Sequence, residues 1–406
     1  MSGDDYWQDT TLGNFVAIQR GHDLTSEERK PGNVPVMGSA GQNGCHDTAL
    51  AKGPGVVIGR SGASFGQVHF SEVDYWPHNT ILYVTDFKGN DPLFAYYLLK
   101  SINFSGYNSG SAQPSLNRNH LYQIPLRVPQ PTEQRAIARV LRNLDDKIEL
   151  NRRMNATLEA MAQTLFRSWF VDFDPVRAKA EGRAPEGMDA ATAALFPDTL
   201  IDSELGEIPA GWRPGNFGEI AENPRRTVDP EYIAASTAYI ALEHMPRQSI
   251  ALSDWEIAEN LGSGKFRFYR GEILFGKLRP YFHKVGVAPI DGVCSTDILV
   301  LRPQRPEWFG FLLGHASSEA FVSHTNAGST GTRMPRTGWS EMAKYSLILP
   351  PPNVTEAFTS RIEKLIEMIG VQIHENRRLT SLRDELLPQL LSGELRIPEP
   401  AEVATT

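Results

Sequence analysis

Cysteine is nearly missing from this 406-residue sequence: Cys45 and Cys294 stand alone, without the spacing of a metal site. A disulfide framework is excluded, and a reducing, cytoplasmic setting is expected. No apolar run approaches the roughly 18 residues a membrane span needs, so no membrane partner is expected. Met1 is followed by Ser, Gly and two Asp rather than by a basic and then apolar leader. Positive charge is not in excess either, with 40 Lys and Arg against 48 Asp and Glu, a net charge of −8. That balance excludes a chain that coats nucleic acid nonspecifically, but not one that reads it through local basic patches.

Catalytic motifs are missing as well. Gly271 through Gly276-Lys277 imitates a phosphate loop, but Leu278 stands where a Ser or Thr would hold magnesium, and Ile273 to Phe275 read as a strand. Asp172-Phe-Asp174-Pro175 lacks the aromatic Pro-Pro motif of an amino-methyltransferase. The ten histidines have no metal spacing, and no glycine-rich cofactor loop follows a strand and opens a helix. The chain is expected to be catalytically silent, with no cofactor and no metal of its own.

What the sequence does have is a long periodic stretch. From 132 to 170 apolar residues recur in steps of four and three: Ile137, Leu141, Leu144, Ile148, then Leu158, Ala162 and Leu165. Thr132 is placed to cap this helix and Pro175 to stop it. At 1.5 Å per residue it extends about 58 Å. The text returns after Pro350-Pro351-Pro352 as Phe358, Ile362, Leu365, Ile369, Leu379, Leu386 and Leu390. Asn353 with Glu356 has the capping-box form, and Gly393 is placed to end the second helix. Asn151-Arg152-Arg153 recurs as Asn376-Arg377-Arg378. An amphipathic helix lying on an ordinary core is the competing account, but the length and the recurrence favour a paired rod.

Each long helix follows a block of short β-rich runs. Block one, 1–131, has Gly55 to Gly59, Gln67 to Phe70 and Thr80 to Thr85, with a glycine-rich turn at Gly38 to Gly44. A helix from Leu93 to Lys100, a loop from Gly110 to Pro114 and a strand from Ile124 to Val128 complete it. Block two, 206–352, repeats that order with Gly271 to Phe275, Thr296 to Leu301, Trp308 to Leu313, Gly328 to Thr332 and Leu347 to Leu349. Residues 132–172 and 353–396 are the helices, 173–205 read as an Ala- and Pro-rich linker with a short helix, and 397–406 as a tail. Because block two begins where the first helix ends, the second helix must run back along the first. The expected fold class is α+β, with two similar globular domains separated by a long antiparallel two-helix coiled coil, an internal pseudo-twofold repeat.

The layout and its letters resemble the specificity subunit of type I restriction–modification enzymes, over nearly the whole chain. The resemblance is carried by Gly55-Val-Val-Ile-Gly59-Arg60-Ser61-Gly62, Gln113-Pro114 to Arg118, and Pro131-Thr132-Glu133-Gln134. It continues in Trp169 to Pro175, Gly271 to Pro280 and Gln389 to Glu394. Each motif is weak, and their joint order in two copies is specific. The resemblance implies two target-recognition domains, each reading half of an asymmetric two-part site in double-stranded DNA, on a spacer that fixes the gap. It also implies two docked methyltransferase subunits and endonuclease/translocase subunits as partners. S-adenosylmethionine, ATP and Mg would serve those partners. One departure is Val354-Thr355-Glu356-Ala357, where the first copy has Glu133-Gln134.

Candidate DNA contacts follow from charge and side-chain type. Lys265, Arg267, Arg270, Lys277, Arg279 and Lys284 form a basic stretch interleaved with Phe266, Phe268, Tyr269, Tyr281 and Phe282. Cations neutralise phosphates and Arg reads guanine edges. Lys265, Arg267, Lys277 and Arg279 are the expected DNA face, and the aromatics are assigned to core. In block one Arg60 lies in a glycine turn where backbone can approach phosphate, and Arg118 follows the second loop. Gln42, Asn43 and His46 offer base-pairing groups, with a solvated turn as the alternative reading; Arg333 and Arg336 stand on the same footing. Asn151, Asn155 and Asn376 interrupt the apolar seam, either to fix register or to face a partner. The runner-up function is a coiled-coil interaction protein with two β-rich ligand-binding heads and no DNA role.

Overall fold

The computed structural model describes residues 7–109, 114–259, 261–331 and 333–397. The expected loop at 110–113, Gln113, Thr332 and the tail from 398 lie outside them. The chain forms two compact units, one of residues 1–147 and 379–406, the other of 148–378.

In the first unit a four-stranded antiparallel sheet has the order Ala17–Arg20, Ile81–Asp86, Gly55–Gly59, Val68–Ser71. Gly55–Gly59 is buried throughout, as its run of Val and Ile between two partner strands requires. Pro92–Ser101 forms the expected helix; Asp91 caps it by accepting a hydrogen bond from the Phe94 N–H at 2.8 Å. Trp7–Thr11 pairs with Pro125–Pro129 just ahead of the long helix. The turn expected from Gly38 to Gly44 is instead a hairpin: Val34–Gly38 pairs with Gly41–His46, and the reversal is confined to the residues between. Ile137, Ala138 and Leu141 share a core with Leu98, Leu99, Leu390 and Leu391.

The second unit has the same plan. Its four-stranded antiparallel sheet has the order Ala221–Glu222, Ile298–Pro303, Ile273–Gly276, Val285–Val287. Gly276 opposes Ile298 as Gly59 opposes Ile81, and Arg213–Asn216 pairs with Ser346–Leu349 as Trp7–Thr11 pairs with Pro125–Pro129. A second sheet has five short strands, Lys265–Phe268 among them, where the first unit has three, Gly41–His46, Val34–Gly38 and Trp76–Pro77. Residues 173–205, read as a linker, are part of this unit. Phe173, Val176 and Phe196 are buried in its main core, and Leu200–Ser203 pairs with Gly206–Pro209.

The long helices run Pro131–Phe170 and Pro352–Ser392. Both start one residue before the expected position, on a proline, whose missing N–H is one the first turn leaves unbonded anyway. Thr132 and Asn353 are therefore inside helices and not caps. Gly393 ends the second helix in the left-handed conformation, φ +81°. Within the second unit, Leu158 packs with Ile369 and Ile373, and Phe166 with Phe358. Numbers rise on one helix as they fall on the other, so the pairing is antiparallel. Within the first unit Asp145 bonds Arg383 at 2.8 Å in the same sense. Ile148 and Ile362 are buried, and Leu144 and Leu365 half-buried. The fold is α+β, two similar β-rich blocks with two long antiparallel helices.

Asn151 is completely buried in the seam. Its Nδ2 donates to Glu375 Oε2 at 2.7 Å and to Asn376 Oδ1 at 2.9 Å, and Asn376 Nδ2 donates to the Ile148 carbonyl at 3.3 Å. The repeated asparagines thus meet each other. Asn155 is buried too, with no hydrogen bond to its Oδ1. The repeated arginine pairs diverge: Arg377 stacks on Trp255 at 3.7 Å, whereas Arg152 and Arg153 are exposed beside Glu149. Among the described residues no helix is long and apolar enough to cross a membrane.

Candidate nucleic-acid interface

In each four-stranded sheet one of the two inner strands, Gly55–Gly59 or Ile273–Gly276, ends in a glycine followed by a basic residue, and there each unit brings together two stretches far apart in sequence. In the second unit the Lys277 N–H donates to the Asp297 carbonyl at 2.9 Å, and the Lys277 carbonyl accepts from the Thr337 N–H at 3.1 Å. Leu278 bridges to Arg336, and the Arg279 N–H donates to the Pro335 carbonyl at 2.7 Å. Lys277, Arg279, Arg333 and Arg336 are therefore neighbours. The first unit has the same arrangement: Ser61 bridges to Ser115, and the Arg60 carbonyl accepts from the Leu116 N–H at 2.9 Å.

Charge at these places is only partly neutralised from within. Arg336 Nε bonds Asp297 Oδ1 at 3.2 Å, while Arg333 is exposed. The buried Nε of Arg279 has no hydrogen-bond partner, and neither does that of Arg60. Burial, followed by the nearby Arg20, pulls the Arg60 guanidinium below its usual range. Two basic groups held side by side with donors unspent form a place suited to an anion such as phosphate.

Backbone strain marks the second unit's edge. Arg279 and His283 flank the short turn Pro280–Phe282, and both are left-handed, with φ near +52° and +50°. Gln248 is left-handed too, at φ +53°, and its N–H donates to the His283 carbonyl at 2.8 Å. Such conformations cost about 1–3 kcal/mol each in bulky residues and collect at binding sites. Phe282 lies under two cations, Arg247 at 4.0 Å and Arg279 at 5.9 Å. Tyr281 beside it is 50% exposed, and Tyr269 is exposed under Arg226. These two tyrosines depart from the core assignment; Phe266 and Phe268 keep it.

Several expected contacts are placed otherwise. Lys265 is 5% exposed: its Nζ lies over the Tyr239 ring and donates to the Ser263 carbonyl and Oγ at 2.6 and 3.0 Å. His46 is buried edge-on against Trp76 and accepts at Nδ1 from the Lys30 N–H, so its ring serves the fold. Lys284 donates to the Leu242 carbonyl, and burial, then Arg247, lowers its pKa. Arg267, Gln42, Asn43 and Arg118 are exposed. Gln42 and Asn43 stand on a strand rather than in a loop, with Arg29 donating to the Asn43 carbonyl at 2.6 Å. Arg247 went unmarked in the sequence. Its partner Phe282 is remote along the chain, and no local pattern signals the stack.

A family model described as the type I restriction modification DNA specificity domain matches residues 4–160. The HindI specificity subunit of Haemophilus influenzae is 27% identical, over 75% of this chain and 77% of its own. The MjaIX specificity subunit of Methanocaldococcus jannaschii is 26% identical, over 75% and 69%. In fold, the chain is like the crystal structure of a type I restriction–modification S subunit from M. genitalium, with TM-score 0.62 and 15% identity over 96% and 97% of the two chains. A domain model over residues 4–160, relatives matched along most of their length and a common fold agree with a plan written twice in one sequence: the chain is similar over most of its length to the specificity subunits of type I restriction–modification enzymes.

Proposed function

We propose that this non-catalytic specificity subunit reads a two-part asymmetric site in double-stranded DNA, one half with each unit. The observation that carries the reading is the repeated junction, where a basic residue after the inner strand meets the segment following the second glycine loop. In the second half-site Lys277, Arg333 and Arg336 supply phosphate contacts, and Arg279, Arg267 and Arg247 supply donors for base edges. In the first, Arg60 and Arg118 face the backbone, and Gln42 and Asn43 offer amides suited to adenine. The long helices set the gap and offer docking surface for two methyltransferase subunits, which endonuclease/translocase subunits join. Adenine methylation with S-adenosylmethionine, and ATP- and Mg-dependent translocation and cleavage, belong to those partners.

The test uses the complex with its methyltransferase partner. Single-molecule sequencing of methylated DNA should give one motif made of two words and a fixed gap, dependent on this chain. Binding to that motif should weaken linearly in log–log form with salt. A chain-dependent motif without a gap, or binding indifferent to salt, would defeat the reading and favour a head that binds some other ligand.

A further inference from the structure

One buried side chain ties the long helices to the DNA-facing edge of the second unit. Glu159, on the helix Pro131–Phe170, is 6% exposed. Its Oε1 accepts from Ser249 Oγ at 2.8 Å and from the Ala251 N–H at 3.3 Å, and its Oε2 accepts from the Ile250 N–H at 2.9 Å. All three donors are neutral and consecutive, and they directly follow Arg247 and Gln248.

Burying a carboxyl group is costly and poorly suited to helix packing, so stability alone is a weak reason for one here. What it supplies is a fixed position for a loop. The loop continues through left-handed Gln248 into the His283 carbonyl, and His283 Nε2 bonds the Ser317 carbonyl at 2.9 Å. That pins the turn Pro280–Phe282 from one side while Arg247 covers Phe282 from the other. We propose that Glu159 is a positioning residue for sequence reading by the second unit: it holds Ser249 to Ala251 so that Arg247 stays on Phe282 beside Arg279. The inference rests on the DNA-reading role of this edge.

The experiment uses the intact methyltransferase complex. It compares methylation of the cognate site with sites carrying single base changes in either half. Arg247→Ala should lower discrimination about tenfold at one or two positions of one half-site. Glu159→Ala should lower it about fivefold at the same positions, leaving the other half-site untouched, and the double variant should be no worse than Arg247→Ala. Glu159→Gln, which keeps an acceptor for the Ile250 N–H, should restore most of the discrimination. Should Glu159→Ala fail to assemble, Glu159→Asp, whose shorter carboxyl withdraws from the loop, is compared with Glu159→Gln on the same scale. Unchanged discrimination in the Glu159 variants beside a clear Arg247→Ala effect overturns the inference alone. So does a loss spread equally over both half-sites, which is the mark of plain destabilisation. No effect of Arg247→Ala overturns the reading beneath it as well.

Discussion

Replacing Asn151 with leucine probes what the buried asparagine pair contributes. Asn151 donates to one carboxylate oxygen and one amide oxygen from a side chain with no solvent exposure. A hydrogen bond to a charged group is worth about 1.5–3 kcal/mol and a neutral one about 0.5–1.5 kcal/mol. Leucine regains part of this through apolar contact in a seam that already holds Ile148 and Ile373. The net loss for Asn151→Leu should be about 2 kcal/mol, because both of these hydrogen bonds are lost. Adding Asn376→Leu removes the other member of the pair and should cost less than the sum of the two single changes. The assay is urea denaturation of the full chain followed by Trp fluorescence, where Trp255 beside Arg377 reports this region. A neutral single variant, or a double variant as unstable as the sum of two singles, would refute a coupled pair.

Two further outcomes follow from charge. His315 is buried against Phe166, Phe311 and Tyr345, and burial pushes its pKa down to about 3 from an ordinary value near 6.5. The unfolded state then binds the extra proton, so its stabilising contribution is complete above about pH 6.5 and is lost as pH falls toward 3. The second unit should lose about 2 kcal/mol between pH 7 and 5, and His315→Leu should flatten that slope in urea titrations; an unchanged slope counts against the assignment. For DNA, Lys277→Ala should reduce the salt slope of binding by about one, whereas Arg279→Lys should relax choice at one base pair in competition assays. Equal effects on both quantities from both variants would contradict the division between phosphate and base contact.

The sequence by itself determined the long helices, their duplication and, in each block, an inner strand of the four-stranded sheet and its neighbour: Gly55–Gly59 with Ile81–Asp86, and Ile273–Gly276 with Ile298–Pro303. Those signals are local: a heptad seam, a glycine stop, and short apolar runs between turns, all readable without knowing what packs where. It also located Lys277, Arg279, Arg333 and Arg336 as candidates, though not as neighbours. The tertiary structure alone decided which cations face outward. Lys265 and Arg267 are two residues apart on one strand and so share a face, yet Lys265 is covered beside Tyr239 while Arg267 stays exposed. His46 was taken into the fold by Trp76, and residues 173–205 into a core through Phe173 and Phe196. Arg247 and Glu159 acquire their places only from residues far along the chain. Burial of a polar side chain depends on what stands opposite it, and for these residues that partner is set by how distant segments meet, which local periodicity does not encode.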